Sequence, residues 1–164
     1  MTSSPIPGSS PAASGTLRTA VTRRTLRAAP SEVFDVLTDP ERFAQVRGIR
    51  HVTVLQEGPD GPRSTGTVRR IGFAPVGFMV EEFIAVAPYR FDYRLVAASL
   101  PLDHRAGTIE FLPGPDGGTQ ARWETTYALP LPLVGDVAGR AAAPVVARVF
   151  HTVLGELDRV ALRG

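Results

Sequence analysis

The side chains of this sequence that could carry chemistry are few and scattered. His51, His104 and His151 are its only imidazoles, and no two have the short local spacing of a metal-binding motif. His104 follows Asp103 beside the start of a β-prone run. A surface loop histidine is the simpler reading, and a general base at the mouth of a cavity is the alternative. Removing a proton next to a carbonyl also needs a donor to steady the enolate. Tyr93 is paired with His104 as a candidate catalytic residue, and Arg69, Arg70 and Arg105 are candidate donors if their side chains turn inward. Glu81 and Glu82 are adjacent, so a strand there places one carboxylate on each face. An ion pair with a neighbouring arginine explains them equally well.

Composition removes several classes of chemistry. The chain has no cysteine, which excludes thiol catalysis, disulfides and thiolate metal sites. Its 18 basic side chains are all arginine, so a lysine Schiff base is excluded too. No Gly-rich phosphate loop or Ser-His-Asp arrangement stands out, and neither a metal nor a cofactor is expected. The formal net charge is +2, but the arginines are spread along the chain, with only Arg23-Arg24 and Arg69-Arg70 adjacent. Nucleic acid is therefore not an expected partner.

The elements that must position these residues follow from periodicity. Residues 1–16 are mostly Ser, Pro, Gly, Ala and Thr, and read as a disordered tail without the basic start and apolar stretch of a secretory signal. No later run approaches transmembrane length on this reading, and a cytoplasmic location is expected. Residues 17–164 then form one domain. Ala20 to Leu26 is β-prone. Pro30 opens a helix through Val33, Phe34 and Leu37, and Asp39-Pro40-Glu41 caps a second that ends near Gly48. Six further β-type runs follow: His51 to Glu57, Gly66 to Phe73, Phe78 to Ala87, Arg90 to Ala98, Ala106 to Leu112 and Thr119 to Leu129. The Gly- and Pro-rich breaks between them are too short for crossover helices, so neighbours should pair antiparallel. Gly135 to Leu162 reads as one long helix with an internal Pro144.

This order predicts an α+β fold, a curved antiparallel sheet of about seven strands wrapped on the C-terminal helix, with two short helices after the first strand. The first half of that helix, Ala138 to Ala143, carries small side chains where a filled core needs large ones, which leaves room for a pocket; the alternative is that alanine simply favours helix and the sheet's aromatics fill the space. Strand parity puts Phe91 and Tyr93 on one face, as it does Ile109 with Phe111 and Trp123 with Tyr127. With Arg70 and the helix residues Ala142, Val146 and Val149 they form the candidate ligand-binding set. Tyr93, Trp123 and Tyr127 each add a polar tip to an aromatic body, so each suits either a ligand or an ordinary core.

Across Thr19 to Leu162 the sequence resembles the START/Bet v 1-like superfamily of polyketide cyclases/dehydrases and lipid-transport proteins (SRPBCC). The resemblance is carried by Pro30-Ser31-Glu32-Val33-Phe34 with Asp39-Pro40-Glu41-Arg42-Phe43, by Gly66-Thr67-Val68-Arg69, by Pro88 to Tyr93, by Gly117-Gly118-Thr119 running to Trp123, and by the proline-bearing terminal helix. Val46 departs from it, since many relatives carry tryptophan there. The resemblance implies a helix-grip fold with an apolar cavity, and a hydrophobic or aromatic small molecule, lipid- or polyketide-like, as partner. Carriers and aromatase/cyclases share these features, so binding alone and acid-base catalysis both stay open. The apolar loops Ser99 to Leu102 and Leu129 to Val134 read as the cavity rim, with a protein- or membrane-surface role as the alternative. Stable membrane insertion is not expected, and pairing of two copies is left open.

Overall fold

The computed structural model describes residues 16–131 and 133–164. The expected tail thus lies outside the described residues except for its last position. The elements run β1 (Arg18–Leu26), α1 (Pro30–Thr38), α2 (Pro40–Phe43), β2 (Ile49–Gln56), β3 (Val68–Phe73), β4 (Gly77–Ala87), β5 (Arg90–Ala98), β6 (Asp103–Pro113), β7 (Thr119–Ala128) and α3 (Gly135–Ala161). The seven strands form one antiparallel sheet in the order β1-β7-β6-β5-β4-β3-β2. This is the helix-grip arrangement expected from the order of elements.

Local chemistry explains the helix starts. Pro40 sits at the first position of α2, where its missing N–H is no loss. The Asp39 carboxylate caps it, accepting from the backbone N–H groups of Glu41 and Arg42, both at 3.0 Å. Asp35, one turn earlier, holds Arg42 at 2.5 Å and also pairs with Arg63, tying the loop before β3 to α1. The second helix is shorter than expected, closing at Phe43 in turns that carry the buried Val46.

The terminal helix lies in the grip of the sheet and packs mostly toward one of its edges. It is fastened mainly along the edge strand β1: Thr22 Oγ1 donates to the Ala147 carbonyl at 2.9 Å, and Arg24 to that of His151 at 2.6 Å. Asp158 accepts from the backbone N–H groups of Arg27 and Ala28 at 3.0 and 2.8 Å. Its C-terminal half closes the core through Leu154, Leu157 and Val160. Pro144 lies inside the helix without ending it. The expectation that no run approaches membrane-spanning length is corrected here, since α3 has an 18-residue window of mean hydropathy 1.2 within its 27 residues. The small, apolar residues of its first half cause this, and few of them are covered by the sheet.

Register fixes two ends of the sheet. At one, Leu26, Phe83, Phe91 and Phe111 pack with Val33, Val36 and Leu37 into a sealed core. At the other, where β1, β2, β4 and β6 start and β3, β5 and β7 finish, the inward-facing Met79, Leu95 and Phe150 are only half-buried. The interior is closed at the first end and looser at the second.

Candidate functional site

Strand parity turns Tyr93 on β5, Trp123 and Thr125 on β7 and His104 on β6 toward the same interior. Tyr93 and His104 stack with ring centroids 5.2 Å apart, and Trp123 meets Tyr93 edge-on at 6.5 Å. The Tyr93 ring lies across β6 at Gly107, where any Cβ would fall 2.2 Å from ring carbons. Glycine there makes the seat for the tyrosine. On its other side Trp123 stacks on Phe150 of α3, centroids 4.0 Å apart and ring planes nearly parallel.

The hydrogen bonds among these residues have one direction. The Leu95 backbone N–H donates to His104 Nδ1 at 3.1 Å, so that nitrogen carries no proton. His104 Nε2 must then hold it and donate to Thr125 Oγ1 at 2.9 Å. The Tyr93 oxygen accepts from Trp123 Nε1 at 2.9 Å. Tyr93 thus receives one donor, and its own O–H donates to no acceptor among the described residues. Burial pushes the Tyr93 phenol well above its ordinary range, and the nearby Glu81 charge adds to this, so it stays a donor at any physiological pH. Burial also pushes the His104 imidazole down to about 4, against the opposing charge of Asp103, so it is neutral.

This corrects the reading of His104 as a surface loop residue. The strand begins at Asp103, paired with Ala128, and a bulge between His104 and Ala106 keeps the imidazole inside, where it is buried. Both ring nitrogens are occupied, so His104 positions Thr125 and Tyr93 and has no lone pair free for a substrate proton.

A second polar group faces the same interior. Arg69 and Glu81 sit opposite each other on β3 and β4 and pair at 2.5 Å, both almost wholly buried. Arg69 Nη1 donates to the Leu37 carbonyl at 2.7 Å, satisfying one of the last carbonyls of α1. The guanidinium is boxed by Phe43, Phe83 and Phe91, at 4.4, 4.9 and 5.8 Å from their ring centres. Arg69 Nη2 is buried with no hydrogen-bond partner among the described residues. Glu82, on the other face, pairs outside with Arg94.

The other expected site residues separate into groups. Phe91, Ile109 and Phe111 face inward but are sealed in the closed end of the core. Tyr127 is buried near the looser end, its hydroxyl 3.5 Å from the Gly139 carbonyl. Ala142 and Val146 are half-buried on α3, facing the interior beside Phe150. Val149 is corrected: it is 52% exposed, because at 100° per residue Val146 and Phe150 take the inward angle. Arg70 is corrected as well. Parity gives Arg69 the inside, and Arg70 lies exposed on the outer face, 4.4 Å over the Phe78 ring. Arg105 is exposed and paired with Asp103. Thr125 and Gly107 were not singled out from sequence. Thr125 lay in the inward alternation of β7, but nothing local marks Gly107.

The strands and terminal helix define a helix-grip domain with a polar cluster set into an apolar interior. The polyketide cyclase / dehydrase and lipid transport family model matches residues 18–161, and the chain belongs to that family. No curated protein sequence matches it. Among solved structures it is similar to the Zhui aromatase/cyclase from Streptomyces sp. R1128, at 19% identity over 90% of this chain and 95% of that one, with a TM-score of 0.71. A START superfamily protein from Mycobacterium smegmatis is similar at 14% identity, over 87% and 98% of the two chains, with a TM-score of 0.68. Ara h 8.0201 gives 14% identity, 91% and 100% coverage and a TM-score of 0.67. At these identities the likeness is one of fold.

Proposed function

We propose that the domain binds an apolar small molecule carrying an oxygen acceptor, polyketide- or acyl-like, between the inner face of the sheet and the first half of α3. The observation that carries this reading is the buried Tyr93 hydroxyl, whose oxygen accepts from Trp123 and whose O–H donates to no acceptor among the described residues. Together with the unpartnered Arg69 Nη2, it presents two donors to the interior. Buried donors without acceptors are costly, about 1–3 kcal/mol each, and a ligand carbonyl or hydroxyl relieves that cost. The half-buried residues at the looser end provide the way in. Thermal unfolding against fatty acids, quinones and aromatic polyketide mimics tests the proposal. A ligand at a hundredfold excess over its Kd adds about 2.7 kcal/mol, a rise of roughly 5–10 °C. Tyr93→Phe should weaken that rise while leaving the fold intact. An unchanged rise in the variant, or silence across the panel, overturns the reading.

A second reading, an aromatase, cyclase or dehydratase, is favoured by Glu81. Its carboxylate shares the interior with the Tyr93 donor, which is the base-and-donor pair that enolisation of a carbonyl requires. On this reading Glu81 takes the proton, Tyr93 and Arg69 steady the enolate, and His104 holds Tyr93 in place. Glu81→Gln should then abolish turnover of a poly-β-ketone while binding persists; parallel loss of both returns Glu81 to a structural role.

A further inference from the structure

The looser end of the sheet carries an exposed surface that the interior site does not use. By register, the β3–β4 hairpin, the β5–β6 loop, the segment after β7 and the start of α3 all lie at this end. Each presents a large apolar side chain to solvent: Val76 is 91% exposed, Leu100 66%, and Leu133, Val134 and Val137 are more than half exposed. Scattered surface hydrophobics need no explanation, but several on neighbouring loops at one end do. Behind them α3 continues the apolar character, with only 11% of its most hydrophobic window buried.

Beside these loops, on the outer face, lies a groove of about 570 Å³ lined by Arg50, His51 and Arg70 with Phe78, Val76 and Ser99. No carboxylate lines it, and neither Arg50 nor Arg70 has a salt-bridge partner among the described residues. Both guanidiniums are nevertheless held in place. Arg50 donates to the Pro75 carbonyl at 3.0 Å, and Arg70 rests on Phe78. Ser99 is fixed on the backbone of Phe78, which joins the groove wall to the loop bearing Leu100.

We propose that this end of the domain docks reversibly on an anionic lipid bilayer, the loop tips at Val76, Leu100 and Leu133 entering the interface while Arg50 and Arg70 meet headgroup phosphates. Charge decides between this occupant and a second copy of the chain. A two-fold contact places the same patch against itself, so it would bring the basic grooves together, whereas an anionic surface offers the opposite sign. The mode is interfacial, with short apolar tips and flanking arginine, and needs no spanning helix. It holds whatever the interior binds, and it would set the looser end of that interior against the membrane.

The test is co-sedimentation of the full chain with phosphatidylcholine vesicles with and without phosphatidylglycerol. Pelleting with the anionic vesicles at low salt, fading with added salt and in pure phosphatidylcholine, is the expected result. The pair Arg50→Gln/Arg70→Gln should lower partitioning about thirtyfold, the effect of two basic side chains near an anionic surface. Leu100→Ser/Leu133→Ser should lower it at least about tenfold. Leu112→Ser, at a 57% exposed position at the opposite end, should behave as the unmodified chain. All substituted side chains are exposed, and unchanged melting checks the fold; should the leucine pair misfold, the arginine pair carries the test alone. Absence of pelleting at low salt overturns the proposal, as does an equal loss in Leu112→Ser. Concentration-dependent dimerisation that Leu100→Ser/Leu133→Ser abolishes, without vesicle binding, would assign the surface to a second copy instead.

Discussion

Replacing Arg69 by Met removes one partner of an ion pair in which the arginine is 1% and the glutamate 5% exposed. Glu81 is then left charged and unpaired, the Leu37 carbonyl loses its donor, and three aromatic rings lose the cation they enclose. Breaking a buried pair from one side costs about 3–5 kcal/mol. In a domain this size each kcal/mol moves Tm by roughly 2–4 °C, so Arg69→Met should melt roughly 6–20 °C lower. Replacing both partners, Arg69→Met/Glu81→Leu, leaves no orphaned charge and should return to within about 1 kcal/mol of the original or exceed it. Urea unfolding of the four proteins, read as a double-mutant cycle, supplies the numbers. A single-variant loss below about 1 kcal/mol, or a double variant as damaged as the two singles summed, would refute the reasoning.

The double variant also separates stability from use. If the pair is kept to present Arg69 Nη2 to a ligand, the refilled apolar core should fold well and lose the ligand-induced rise in Tm. Gly107→Ala forces the Tyr93 ring off β6 and should cost about 1–3 kcal/mol in urea unfolding, with loss of the Trp123 hydrogen bond. Trp123 is the only tryptophan, so its emission should shift on ligand addition and in Tyr93→Phe; an emission blind to both would place the ligand elsewhere. His104 has a folded pKa of about 4, below its unfolded 6.5, so its contribution is complete above pH 6.5 and is lost as pH falls toward 4. The difference in stability between the unmodified chain and His104→Gln should shrink across that window, by at most about 1.4 kcal/mol per pH unit, and a difference independent of pH would show that the imidazole is not held neutral.

Legibility followed periodicity. Antiparallel order, the two short helices and the length of α3 are all dictated by local turn chemistry and apolar spacing, and each is found. Inward faces on β5 and β7 were readable for the same reason, since alternation in a strand is rigid. Failures fall where a single residue's angle or a bulge decides. Between Arg69 and Arg70 only register distinguishes inside from outside, and the composition of the pair is symmetrical. Val149 shares its apolar character with Val146, and only the rotation of α3 on β1 separates them. His104 sits before the apolar alternation of β6 begins, so the strand appeared to start three residues late. The bulge that turns the imidazole inward leaves no mark in residue types.

The direction of the hydrogen-bond chain limits what chemistry this interior can do. A proton leaving a substrate needs an acceptor, yet the Tyr93 oxygen carries its own proton and already accepts from Trp123, and both His104 nitrogens are spent. Among the described residues only Glu81 remains as an inward base, paired with Arg69. Tyr93 on β5 supplies one donor, while β3 and β4 supply the second, Arg69, and the acceptor, Glu81. Solvent isotope exchange at the carbon next to the carbonyl of a bound β-ketone, followed by NMR, therefore distinguishes a carrier from an enzyme without knowledge of the product. Exchange that survives His104→Gln but stops in Glu81→Gln places the proton transfer on the carboxylate; no exchange in the unmodified chain leaves a binding module whose polar cluster orients its ligand and nothing more.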